Sequence, residues 1–342
     1  MRIAVCAPQV PFARGGTEIL VETLVSELRR RDHDAELVTI PFKWYPRARV
    51  LTQALLWRLT DLEEADGRPI DLVIATKFPS YAIRHPNKVV WLVHQFRQAY
   101  DLDGTALGQF GPDPFDRATR RAVHRLDGVA LGEARKLFAI SQNVADRLSA
   151  SNGLEAEVLR PPPQALDYRC DEYGTFVLSV GRLDRAKRVD LLLQALASNQ
   201  QLEAVVAGEG PDRSRLEALA CELRLDDRLR FAGRVDDAEL ARLYATCLGV
   251  YYAPVDEDLG FVPYEAFLSE KPVVTTTDAG GPLEVVSDEQ TGLVSEPEPA
   301  AVAAALARLA SSRADAQAWG RLGKTLAEAS SWDVVIDRLL SA

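Results

Sequence analysis

The chain has 342 residues, 47% hydrophobic and 26% charged, which is enough apolar material for two ordinary domain cores. No run of about 18 uncharged apolar residues occurs, so no membrane-spanning helix is expected. The net charge of -10 disfavours a nucleic-acid partner, because neutralising phosphates needs a basic field. The charge is uneven: residues 1–165 carry 22 Lys+Arg against 20 Asp+Glu, and residues 166–342 carry 18 against 30. The first half therefore suits an anionic surface better than the second, although random surface drift would give the same asymmetry. Cys6, Cys170, Cys221 and Cys247 show no CxxC spacing. That argues against a zinc site or a disulfide framework and fits a reducing cytoplasm.

In chain order, the apolar runs at 2–7, 35–40, 72–75, 89–93 and 137–140 read as buried parallel strands, with a helix expected at 17–31. The opening run is too short for a signal peptide and reads as the first strand. The triple proline in Arg160-Pro161-Pro162-Pro163 is stiff and cannot continue a strand or helix, so a hinge is expected near 160–172. The scheme then repeats. Strands are expected at 176–180, 204–207, 229–232, 249–253 and 272–275. Helices are expected at 190–197, 213–223, 237–246, 263–269 and 299–309. Alternation of this kind implies an α/β fold of two Rossmann-like domains, each with a parallel sheet covered on both faces. Ligands of such sheets bind at the carboxyl ends of the strands, which here would line a cleft between the domains. The expected division is 1–165, 166–328 and a last segment, 329–342.

Four segments carry chemistry. In the first, Glu257 and Glu265 flank Gly260-Phe261-Val262-Pro263. Pro263 suits the first turn of a helix, so residues 260–262 would form the loop entering it, with backbone N–H groups and the helix dipole favouring a phosphate. Glu265 would stand in the first helical turn, and both carboxylates could accept hydrogen bonds from sugar or ribose hydroxyls. A helix-start acid and an exposed acidic run would read the same. In the second, Gly181-Arg182-Leu183-Asp184-Arg185-Ala186-Lys187 joins a strand to a helix. Arg182 offers a planar fork and Lys187 a point charge to a diphosphate, unless the segment is only a solvated basic turn. In the third, Gly15-Gly16 opens the first helix, where a backbone could approach a ligand closely or simply turn. The motif is not GxGxxG, so a dinucleotide site is not supported. In the fourth, His94 ends a buried-looking strand, a position open to a structural or a functional histidine.

The order of these pieces, together with Gly208-Glu209-Gly210-Pro211, Phe231-Ala232-Gly233-Arg234-Val235 and Gly280-Gly281-Pro282, resembles the family 4 retaining glycosyltransferases, which have the GT-B architecture. The resemblance implies a hexosyltransferase that uses a UDP- or GDP-linked sugar as donor substrate, with no further cofactor and no metal. By it, Arg182 and Lys187 bind the donor diphosphate. Glu257 contacts the sugar hydroxyls, Gly260, Phe261 and Val262 the sugar and phosphates, and Glu265 the ribose. Arg234 and Val235 lie by the base, and Gly15 and Gly16 approach the phosphates. His94 meets the transferred sugar, Ser141 lines the cleft, and the segment 329–342 is a helix that crosses back to the first domain. His94, Arg182, Lys187 and Glu257 form the implied catalytic set. Asp258 stands where many members have glycine, which bears on sugar choice. The implied acceptor is a glycan or a lipid-linked sugar in cell-surface assembly. Phe42-Lys43-Trp44-Tyr45-Pro46-Arg47, leading into the apolar stretch 50–59, and the arginines at 117, 120, 121 and 125 suit peripheral contact with an anionic membrane from the cytoplasmic side, or only a solvated face. The competing class is a nucleotide-sugar-binding GT-B protein with epimerase-like or no transfer activity.

Overall fold

The computed structural model describes residues 1–12, 14–105 and 107–342. The chain divides into two units, Met1–Pro161 with Ser331–Ala342, and Pro162–Ser330. The dividing point falls inside the triple proline, slightly before the expected 165/166 boundary.

Unit 1 opens with β1 (Arg2–Gln9), α1 (Gly16–Arg30), β2 (Asp34–Pro41) and α2 (Val50–Leu59). It continues through β3 (Glu64–Ala65), β4 (Arg68–Pro69), β5 (Leu72–Ala75), β6 (Lys88–Leu92), α3 (Pro114–Gly132), β7 (Lys136–Ala139), α4 (Gln142–Asn152) and β8 (Glu157–Val158). Six of these strands form one parallel sheet in the order β2-β1-β5-β6-β7-β8, while β3 and β4 make a small hairpin. The central strands are fully buried, as expected of a parallel sheet with both faces covered. The C-terminal helix Trp332–Leu340 closes this unit. Its Trp332 packs edge-on against Trp91 at 6.1 Å, and Asp333 and Arg338 pair with Arg31 and Glu157.

Two buried charges set the interior of unit 1. Lys88 gives its three donors to the carbonyls of Tyr81, Ile83 and Ala130 at 2.8–3.1 Å, and burial pushes its ammonium down to about 8. Asp127, on α3, accepts from the Tyr100 hydroxyl at 2.8 Å. Burial lifts its carboxyl to about 7, against the pull of the Tyr100 and Tyr81 hydroxyls.

Unit 2 comprises β9 (Phe176–Val180), α5 (Val189–Ala197), β10 (Glu203–Ala207), α6 (Arg213–Glu222), β11 (Leu229–Gly233), α7 (Asp237–Thr246) and β12 (Gly249–Tyr251). It ends with α8 (Phe261–Leu268), β13 (Val273–Thr276), β14 (Gly292–Ser295), α9 (Pro299–Ser311) and α10 (Arg313–Ala327). Its sheet is also parallel, in the order β11-β10-β9-β12-β13-β14. The core gathers the inner faces of α5, α6 and α9, including Leu192, Leu193, Leu196, Leu306 and Leu309, over Val177, Val206 and Val274.

Both sheets reverse their winding once. The chain lays strands outward to one edge, then returns to the other side of its first strand. The switch points lie between β1 and β5 in unit 1 and between β9 and β12 in unit 2, and at such points the two flanking loops diverge and leave a crevice. In unit 2 the loops after β9, β10 and β11 are laced sideways. Gly181 N–H donates to Ala207 O, Leu183 N–H to Glu209 O, and Gly208 N–H to Gly233 O, at 2.8–3.0 Å. Gly208 has φ +141°, and a Cβ there would sit 1.9 Å from the Gly181 carbonyl oxygen, so only glycine permits this spacing.

The Asp127 carboxyl gives unit 1 a defined pH dependence. Its folded pKa of about 7 lies above the ordinary 3.8, so the folded state holds a proton that the unfolded chain has released. The resulting stability is present at low pH and is lost as pH rises through about 7. Asp127→Asn is expected to flatten this slope and to stabilise the unit above neutrality by on the order of 2 kcal/mol. Urea unfolding followed by tryptophan fluorescence at several pH values measures it; an unchanged slope in the variant would contradict the assignment.

Candidate active site

The switch point of unit 2 holds a polar cluster. After β9 the backbone turns through Gly181, and Asp184 caps the short turn Arg185–Lys187 through Ala186 N–H at 3.1 Å. Arg188 then takes a left-handed conformation, φ +48°, and α5 begins. This turn places the Lys187 ammonium against the Glu257 carboxylate from the loop after β12. Lys187 also donates to the Tyr252 hydroxyl at 3.1 Å, and that hydroxyl donates to the same Glu257 oxygen at 3.2 Å. Burial works to push the Lys187 ammonium down, but Tyr252 and Glu257 outweigh it and hold the group above its ordinary value. The lysine is therefore a permanent cation, and burial keeps Tyr252 a neutral phenol.

The loop carrying Glu257 is fixed from three sides. Val255 N–H donates to Ala186 O at 2.8 Å, which ties it to the Lys187 turn. Glu257 N–H donates to Ala279 O, and Gly281 N–H returns to Glu257 O, both at 2.8 Å. The Arg188 guanidinium reaches the carbonyls of Ala253 and Pro254 at 2.8 Å, Thr276 Oγ1 at 2.7 Å and both oxygens of Asp278. One side chain thus joins the loops after β9, β12 and β13. In the sequence Arg188 was only the last member of a basic run.

Gly260 caps α8 with φ +77°, and a Cβ there would meet Tyr252 Cε1 at 2.8 Å. The helix starts at Phe261, so two expectations need correction. Phe261 and Val262 are the first helical residues rather than loop, and Pro263 is the third. All three stay within the four positions whose N–H groups have no intrahelical acceptor, which is why proline is tolerated there. Glu265 consequently falls in the second turn, not the first. There it accepts from the Tyr244 hydroxyl at 2.7 Å. Among the described residues Glu265 forms no ion pair, and burial pushes its carboxyl up against the pull of that hydrogen bond. The Tyr168 ring meets Tyr244 edge-on at 6.1 Å.

The remaining sequence candidates are more dispersed. Arg182 shares the turn with Lys187, but its side chain is 60% exposed, with only Asp184 as a distant ion-pair partner at 3.9 Å. Arg234 and Val235 follow β11, the arginine exposed and the valine half-buried. Asp258 lies on the loop between Glu257 and α8. In unit 1, Gly15 caps α1 and Gly16 is its first residue. Glu18 accepts the Gly15 N–H at 2.9 Å and pairs with Lys77 at 3.1 Å; Ala13, two residues before Gly15, is outside the described residues. His94 lies just beyond β6. Its Nδ1 is 2.6 Å from the Gln95 carbonyl, which can only accept, so Nδ1 carries the proton in the neutral ring. Ser141 is fully buried and caps α4, accepting from Val144 N–H at 3.1 Å. Tyr252, Tyr244 and Arg188 are the polar members that sequence reasoning missed. The tyrosines lie in or beside apolar elements and read as core.

Residues 168–325 match the family model described as glycosyl transferases group 1. The D-inositol 3-phosphate glycosyltransferase of Mycobacterium marinum is 31% identical over 241 residues, 66% of this chain and 50% of that protein. The chain spans half or less of the length of the first curated relatives it matches. Among solved structures, sucrose-phosphate synthase from Thermosynechococcus elongatus superposes with TM-score 0.80 at 20% identity, covering 100% of this chain and 98% of that one. The Anabaena protein HepE, solved in complex with UDP-glucose, superposes with TM-score 0.74 at 18% identity, covering 100% and 99%. The chain therefore has the GT-B fold and carries, in the unit that holds the Lys187–Glu257 pair, a group 1 glycosyltransferase domain.

Proposed function

We propose that this chain is a retaining glycosyltransferase that moves a hexosyl group from a UDP- or GDP-linked sugar to an acceptor hydroxyl, in the assembly of a glycan or glycolipid. The observation that carries the reading is the Lys187–Tyr252–Glu257 cluster beside the start of α8, at the switch point of unit 2. A fixed cation and helical N–H groups that lack intrahelical acceptors suit a diphosphate, and an adjacent carboxylate suits sugar hydroxyls.

In this reading the bond between the anomeric carbon and the diphosphate oxygen breaks while the acceptor oxygen bonds to the same face of that carbon. The acceptor proton passes to the departing phosphate oxygen. Lys187, Arg182 and the amides at the start of α8 offset the negative charge that grows on the leaving group, a preorganised electrostatic role that needs no enzyme nucleophile and no metal. Glu265, steadied by Tyr244, accepts from the ribose hydroxyls. His94 serves the transferred sugar by the same resemblance.

A panel of nucleoside diphosphates in a thermal-shift assay is expected to show selective stabilisation by UDP or GDP, since a ligand bound only by the folded state raises its stability. Lys187→Ala should remove that shift and lower kcat/KM by roughly 100- to 1000-fold, the scale of one lost preorganised cation or donor. Full turnover at low donor concentration in Lys187→Ala and Arg182→Ala variants would overturn the donor assignment. A shift without hydrolysis or transfer to any sugar acceptor would favour a binding protein instead.

Tyr244→Phe is expected to act through Glu265. Burial already raises this carboxyl and Tyr244 opposes the rise, so losing the hydroxyl raises it further. The ionised acceptor for the ribose then disappears at a higher pH. Donor KM should rise about fivefold on the acidic side, the worth of roughly one hydrogen bond, and approach wild type on the alkaline side, with kcat little changed. A KM–pH profile parallel to wild type would place Tyr244 outside donor binding.

A further inference from the structure

We propose that the outward faces of α2 and α3 form a docking surface for an anionic phospholipid bilayer. α2 buries Val50, Ala54 and Trp57, yet its other side is also largely apolar: Leu55, Leu56 and Leu59 are exposed together with Thr52, Leu59 by 81%. A helix with apolar residues on both sides is ordinarily enclosed by protein or lipid. Here no described part of the chain covers the second face. α2 contains no carboxylate, and its one cation, Arg58, is held by Glu133.

The neighbouring helix continues the surface. Arg47, just before α2, pairs with Asp116 in the first turn of α3, and Arg58 near the end of α2 pairs with Glu133 at the end of α3. The two helices therefore lie side by side, running in the same direction. Both carboxylates of α3, Asp116 and Asp127, are buried. Its exposed positions carry Phe115 and Val129 together with Arg117, Arg121 and Arg125, the arginines one helical turn apart on one face. Among the described residues Arg121 and Arg125 form no ion pair. Where the chain enters α2, Lys43 stands over the ring of exposed Tyr45, beside Trp44.

Interfacial leucines and aromatics interleaved with arginines, with exposed acids only at the capping positions of α3, Asp113 and the Arg58-paired Glu133, match an anionic lipid surface. A symmetric contact between two copies would set these arginines against their own counterparts. The acidic run Asp61, Glu63 and Glu64 follows the last turn of α2 and bounds the patch on that side. No described helix is long and apolar enough to cross a membrane, so this is a surface contact. It rests on unit 1 alone and does not depend on the donor assignment.

The test is flotation of the full chain with vesicles of phosphatidylcholine alone or with phosphatidylglycerol added, at low and high salt. Recovery is expected to be at least about tenfold higher with the anionic vesicles and to fall with salt. Leu55→Asp with Leu59→Asp, and separately Arg121→Glu with Arg125→Glu, should each abolish recovery, while thermal melts by circular dichroism stay at wild-type values because all four side chains are exposed. No recovery of the wild-type chain, equal recovery on neutral vesicles, or variants that float like wild type would each overturn the proposal. So would light scattering that shows a dimer broken by the leucine substitutions, which would assign the face to a second copy.

Discussion

The contact on which unit 2 depends is the Lys187–Glu257 pair. A buried ammonium alone is costly, and a carboxylate placed beside it restores the balance only when geometry and further hydrogen bonds are good. Here Tyr252 bonds to both partners. Removing either charge would take away the other's counter-ion in a partly desolvated place, a loss of several kcal/mol, about 3–5. The same arrangement fixes a cation on Tyr252, whose ring lies against Gly260 at the start of α8.

That pair exists because of topology. Its members lie on loops that follow β9 and β12, strands that are neighbours in the sheet but distant in the chain. Winding outward to β11 and then back to β12 opens the crevice in which the two loops face each other. Arg188 then fixes their separation by joining three loops at once. The neighbouring loops are held to the same frame through Gly208, where no side chain fits.

Unit 1 uses the same winding for different ends. Its sheet is also switched, but its buried charges, Lys88 and Asp127, serve the interior. Lys88 is satisfied by carbonyls, while Asp127 meets a phenol through one oxygen and its other oxygen is buried without a partner among the described residues, with no ion pair between the two groups. The donors and carboxylates that would greet a ligand are concentrated in unit 2, while unit 1 presents an arginine-and-leucine face on α2 and α3. The uneven charge of the two halves has a structural counterpart in this division.

Much of the frame was legible in the sequence, because parallel strands buried on both faces leave continuous apolar runs and the triple proline interrupts them at one place. The order of Lys187, Glu257, Gly260 and Glu265 along the chain was legible as well, since a helix entry needs a permissive residue and a phosphate site needs cations and free amides. The first helical residue of α8 was not, because proline is accepted anywhere in the first turn and so marks the start only to within a few positions. Nor could the sequence pair Lys187 with Tyr252, Glu265 with Tyr244, or Arg188 with Asp278. Each of those bonds joins residues brought together only when distant strands take neighbouring places, and a tyrosine beside an apolar run has the same local signature whether its hydroxyl meets a carboxylate or nothing. Residue types and their order set which chemistry was available; sheet order decided which side chains would share it.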